Sequence, residues 1–125
     1  MTIDKKYVDQ IINVTSKAAI ASSYLVGKKD KFGADQAAVD AMRAELNDID
    51  MTGEIVIGEG RLDEAPMLYT GEILGKKIGP EFDIAVDPLE GTNFAANNLP
   101  GALSVIAIAE KGNLFRAPET YMHKI

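Results

Sequence analysis

Residues 83–92 read Asp83-Ile-Ala-Val-Asp-Pro-Leu-Glu-Gly-Thr92, and this stretch decides how the rest of the chain is read. The apolar run predicts a buried strand over 83–86. It ends abruptly in Asp87, Pro88 is expected to stop the strand, and Glu90-Gly91-Thr92 follows at once. Strand ends are where α/β proteins gather their chemistry. Two carboxylates three residues apart on a tight turn can share a divalent cation. Gly91 lets the backbone come close to an anion, and the Thr92 hydroxyl can orient a water or cap a helix. Asp-Pro and Glu-Gly are also ordinary strand-exit and turn chemistry, so the neighbouring segments carry part of the decision.

Residues 53–66 read Gly53-Glu-Ile-Val-Ile-Gly-Glu-Gly-Arg-Leu-Asp-Glu-Ala-Pro66. Ile55-Val56-Ile57 is a short buried strand, after which Gly58 and Gly60 flank Glu59 and leave its carboxylate uncrowded. Asp63 and Glu64 follow within a turn. A solvated loop leading into a helix that begins at Asp63, where acids favour the macrodipole, accounts for Glu64 but not for a glutamate held between two glycines. Upstream, Gly27-Lys-Lys-Asp-Lys-Phe-Gly-Ala-Asp35 precedes the helical spacing Val39, Met42, Leu46. Taken in isolation Asp35 reads as the N-cap of that helix. Taken with the other two segments, Asp35, Glu59, Asp87 and Glu90 all fall at ends of regular elements. We expect them to converge on one side of a sheet.

The scaffold follows from periodicity. Val8, Ile11, Ile12, Thr15, Ala18, Ala19, Ser22, Leu25 and Val26 keep the i, i+3, i+4, i+7 spacing of one long amphipathic helix closed by Gly27. A second helix is expected from Asp35 to Asn47. A strand near 54–57 and a helix or turn from Asp63 to about Leu74 come next, then a Gly/Lys/Pro loop over 75–80. Leu103–Ala109 is a further buried strand, and Lys111-Gly112-Asn113 reads as a hairpin turn into Leu114-Phe115. Helices first and then a sheet make an α/β chain with layered helix–sheet packing.

Composition narrows the function. The 125 residues, 46% of them hydrophobic, suffice for one domain or part of one, and the absence of cysteine excludes disulfides and thiolate metal sites. The N-terminus does not read as a signal peptide, no apolar run approaches a membrane span, and the expected setting is cytoplasmic, without a membrane partner. A net charge of −6 argues against nucleic acid as a partner. The same acidity would repel a phosphorylated sugar unless cations intervened.

The Asp87–Thr92 turn resembles the metal-and-phosphate turn of lithium-sensitive, metal-dependent sugar and inositol phosphatases. With Gly33–Arg43, Ile55–Gly60, Asp63–Tyr69 and Ala117-Pro-Glu-Thr-Tyr-Met122, the whole chain resembles the amino-terminal part of class II fructose-1,6-bisphosphatases, a bacterial family that includes bifunctional fructose/sedoheptulose bisphosphatases. The resemblance implies a layered helix–sheet sugar-phosphatase fold, with 1–125 as the N-terminal portion of the domain. It implies hydrolysis of the 1-phosphate of fructose 1,6-bisphosphate, or of sedoheptulose 1,7-bisphosphate, with Mn²⁺ or Mg²⁺ as cofactor. By the same resemblance Asp35 and Glu59 hold one cation, and Asp87 and Glu90 serve a second. Glu90, Gly91, Thr92 and Tyr121 meet the substrate, and Asp63 paired with Thr92 activates the water. Arg61 stands where some relatives carry an acid. The family's last metal-binding glutamate and the residues gripping the distal phosphate are expected beyond residue 125. The alternative is a catalytically incomplete half-domain that binds cations and oligomerises; a homo-oligomer is expected in either case.

Overall fold

In the computed structural model, which describes residues 3–60, 67–118 and 120–125, two helices precede a four-stranded sheet. Helix α1 spans Lys5–Ser23, and the Asp4 carboxylate caps it by accepting from the Lys6 N–H at 2.9 Å. It buries Tyr7, Val14, Ala18 and Ser22. The buried stripe is narrower than the sequence spacing predicts, because Val8, Ile12 and Ile20 lie on the outer face. Helix α2 spans Lys31–Asn47 and starts earlier than expected. Asp30, not Asp35, is its N-cap, accepting from the Gly33 N–H at 2.8 Å. Ala18, Ala34 and Ala38 are fully buried, and small side chains of this kind let helix axes approach closely.

The strands are β1 (Thr52–Ile57), β2 (Ile73–Leu74), β3 (Glu81–Glu90) and β4 (Leu103–Glu110). Their spatial order is β2-β1-β3-β4, with β1 and β3 parallel and both outer pairings antiparallel. The mixed sheet and its helices fit the sugar-phosphatase architecture expected above. Ile55, Ile84, Met42, Leu46 and Val39 meet in the core between sheet and helices. Burying each such side chain contributes about 1.5–3 kcal/mol. Tyr7 stands edge-on to Phe82 at 5.1 Å and donates its hydroxyl to the Asp50 carbonyl at 3.1 Å, which fastens α1 to the start of the sheet. The run 103–109 is not the buried strand expected: β4 lies at the sheet edge, where Ile106 and Ile108 pack toward the core while Leu103, Val105 and Ala107 are exposed on the other face.

Three expectations are corrected. Residues 67–72 contain no helix and lead into β2, which pairs with β1; residues 61–66 lie outside the described set. Proline does not stop β3. The strand continues through Pro88 to Glu90 because the ladder is already interrupted there by a bulge, the one strand-interior position where a missing N–H costs no ladder bond. The turn at Lys111–Gly112 forms, but no strand follows it. Leu114 instead donates its N–H to Asp83 Oδ2 at 3.2 Å, which pulls the chain away from the β4 edge.

Candidate functional site

The carboxyl ends of β1 and β3 open into a cleft of about 730 Å³. Asp35, Glu59, Asp87, Glu90, Gly91, Thr92 and Tyr121 line it together with Lys31, Phe32, Leu89 and Thr120. Four carboxylates drawn from α2, the loop after β1, and β3 thus share one wall-to-wall space. Asp63, named from the sequence as a catalytic residue, lies outside the described residues.

The bulge explains how Asp87 and Glu90 come to share the cleft. Side chains of a regular strand alternate, so residues three apart point to opposite faces. Here Asp87 faces Val105 and Glu90 faces Leu103, so three steps on β3 are matched by two on β4. That one extra residue restores both acids to the same side. The chain then turns through Gly91 at φ +79° into the single-turn helix α3, Thr92–Ala96. A Cβ at Gly91 would lie 2.9 Å from Phe94 and 3.4 Å from the Ala102 backbone, so both conformation and space call for glycine. Phe94 and Ala95 donate their N–H groups to the Gly91 carbonyl.

Glu59 is positioned by its backbone, its N–H donating to the Leu68 carbonyl at 2.7 Å. Gly58 makes that approach possible: a Cβ there would fall 2.4 Å from the same carbonyl oxygen. The segment that carries Leu68 is tied to α2. Arg43 on α2 donates to the Met67 carbonyl at 2.7 Å and to Glu72 Oε1 at 2.8 Å in a largely buried ion pair.

Asp35 lies one turn inside α2, free of capping duty and half-buried. Burial raises its pKa above the ordinary aspartate value. Among the described residues no three of His, Cys, Asp or Glu stand close enough to enclose an ion by themselves. The donor set is nevertheless all oxygen, spread along one cleft. That suits Mg²⁺ or Mn²⁺, which are held by a few carboxylates and keep several waters.

Phe32, Leu89 and Thr120 were not singled out from the sequence. Lys31, in the lysine-rich segment ahead of Asp35, borders the cleft as the first residue of α2. Thr120 is adjacent to the expected Tyr121, which is exposed and belongs to no strand.

Residues 5–125 match the family model described as bacterial fructose-1,6-bisphosphatase, glpX-encoded. The chain is 51% identical over 123 residues to a D-fructose 1,6-bisphosphatase class 2/sedoheptulose 1,7-bisphosphatase of Prochlorococcus marinus (strain MIT 9303), covering 98% of this chain and 37% of that protein. A protein of the same name from Thermosynechococcus vestitus is 55% identical over 128 residues, covering 93% of this chain and 37% of its own length. The chain therefore spans somewhat over a third of the length of these relatives.

Proposed function

Since the chain belongs to the family of glpX-encoded bacterial fructose-1,6-bisphosphatases, we propose that its cleft is the cation-holding portion of a sugar-bisphosphate phosphatase site. The reaction is hydrolysis of the 1-phosphate of fructose 1,6-bisphosphate, with sedoheptulose 1,7-bisphosphate as a second substrate, in carbohydrate metabolism. One observation carries this reading: Asp35, Glu59, Asp87 and Glu90 line the same cleft as Gly91, Thr92 and Tyr121.

Asp35 and Glu59 would hold one Mn²⁺ or Mg²⁺, and Asp87 and Glu90 a second. When bound, the cations would supply the positive charge that offsets the phosphate and stabilises charge developing on its oxygens. The chain's own residues do the rest. Four carboxylates would repel a phosphate dianion, so they select for substrate only when neutralised, which makes binding of the sugar conditional on the metal. Gly91, without a side chain, lets the phosphate approach the backbone between Glu90 and Thr92. The Thr92 hydroxyl, at the first residue of α3, orients the attacking water, and Asp63 accepts its proton. Tyr121, exposed at the rim, contacts the sugar phosphate.

A second reading, a self-associating cation-binding module without turnover, is favoured by the exposed apolar side chains on α1 and β4. Calorimetry with Mn²⁺ on the parent and on Asp87→Asn, run beside phosphate release from fructose 1,6-bisphosphate, tests both. Binding should weaken on the order of tenfold or more in Asp87→Asn; equal heats would remove Asp87 from the site. Mn²⁺ binding without phosphate release would favour the second reading.

A further inference from the structure

Asp83 on β3 is completely buried, with a carboxylate that none of the roles above uses. Its Oδ2 accepts from the N–H groups of Gly112 at 2.8 Å and Leu114 at 3.2 Å. Its Oδ1 stands 3.8 Å from Arg116 Nη2. Arg116 in turn grips Glu54 on β1 with two bonds, at 3.0 and 3.2 Å. Glu54 and Asp83 are direct neighbours across the parallel β1–β3 pair. One arginine therefore straddles two strands at the point where the chain leaves β4 and turns back over the sheet.

Beyond Arg116 the described residues form no regular element, and none of them hydrogen-bonds to the rest of the described chain. They are nevertheless directed. Ala117, Pro118, Thr120 and Met122 border a hollow of about 260 Å³ shared with Ile57, Gly58, Glu59, Val86 and Asp87. Arg116 sits over Glu54 and Asp83 near the start of β1 and β3, while Thr120 borders both this hollow and the cleft at their carboxyl ends. An anchor at Arg116, four positions before Thr120, thus bears on where residues 120 and 121 land.

We propose that Glu54, Asp83 and Arg116 form a clamp of positioning residues that sets the path of the segment after β4 and so holds Thr120 and Tyr121 over the cleft. Asp83 shapes the 111–114 turn through backbone bonds, and the Arg116–Glu54 fork fixes the segment's direction. A bidentate guanidinium–carboxylate pair suits this because it constrains angle as well as distance. Arginine cannot be exchanged for lysine here without loss. The clamp deepens the functional reading given above, since it assigns specificity-side positioning to residues that never touch substrate.

The absence of cysteine makes spin labelling clean. Labels at Phe32→Cys and Met122→Cys, both exposed positions, report the tail-to-cleft distance by pulsed electron resonance. A second pair, Lys17→Cys with Asp40→Cys, reports the two helices. Arg116→Gln and Glu54→Gln should each broaden the tail distribution about twofold or more while leaving the helix pair unchanged. Arg116→Lys should restore part of the sharpness, and the exchange Glu54→Arg with Arg116→Glu most of it. An unchanged tail distribution in both glutamine variants would overturn the clamp. In calorimetry with fructose 1,6-bisphosphate and Mn²⁺, the variants should weaken bisphosphate binding about tenfold, the size of one lost contact, and leave Mn²⁺ binding alone. Loss of tail order with unaltered bisphosphate binding would refute the positioning role. A parent chain that binds no Mn²⁺ would instead overturn the cation site, and the distance measurement would still decide the clamp.

Discussion

Asp35 shows what a single half-buried carboxylate does to stability. Because burial holds its pKa above the ordinary value, the folded chain keeps this proton to a higher pH than the unfolded chain does. Its contribution is therefore most favourable below the ordinary aspartate range and is lost as pH rises through the interval just above it. At neutral pH the residue costs stability. Asp35→Asn should accordingly raise the urea midpoint at pH 7 in the presence of a chelator, and the gain should shrink as pH falls toward about 4. With Mn²⁺ added the order should reverse, because the parent gains a bound cation that the variant has lost. A variant less stable than the parent at pH 7 without cation would show that Asp35 is not strained by burial.

At the scale of elements, the Arg43–Glu72 pair is the joint that holds the loop beneath Glu59. Removing one partner strands the other in a largely dry place. Glu72→Ala is expected to cost about 2–3 kcal/mol, somewhat below the cost for a fully buried pair. Equilibrium urea unfolding measures it, and a loss under about 0.5 kcal/mol, the scale of an ordinary surface change, would show the pair to be ornamental. Helix α2 and its core residues Val39, Met42 and Leu46 were legible from helical spacing, and β1 and β4 from their apolar runs. Glu59, Asp87 and Glu90 were legible because each stands beside a glycine or proline; Asp35, one turn inside α2, was legible only in the company of the other segments. Asp30 and Asp35 both precede apolar residues, so the sequence does not choose between them as the cap of α2; the structure has Asp30 accepting from the Gly33 N–H, three positions on. What else stayed hidden was set by partners distant in the chain. Pro88 reads as a strand stop until β4 is present to show that the ladder is already broken there. The outward turn of Val8 and Ile12 depends on where α2 docks, and Arg116 reads as plain surface until Glu54, sixty-two positions upstream, is folded beneath it.

Across the whole molecule, apolar side chains remain open on two sides. Val8, Ile12 and Ile20 project from α1, and Leu103 and Val105 from β4, the edge strand of the sheet. Contiguous exposed apolar surface usually marks an interface, and an unpaired edge strand offers a row of backbone donors and acceptors. The chain should therefore associate in solution, and light scattering across micromolar concentrations should return at least a dimeric mass. Val105→Lys, which places a charge on the open face of β4, should lower that mass if the strand is the contact, and a monomeric parent would remove the expectation. No helix among the described residues is long and apolar enough to cross a membrane. The cleft itself has a timetable. Its lining runs from Lys31 to Tyr121, so on a ribosome adding about 5–20 residues per second, roughly 5–20 seconds pass between the first and last of these side chains. Helices α1 and α2 can pair early in that interval, but the carboxylates stay scattered along a nascent chain until β3 has threaded between β1 and β4. On the proposed reading, cation capture would thereby fall late in biogenesis, and the half-made polypeptide would be spared from closing around an ion before its sheet exists.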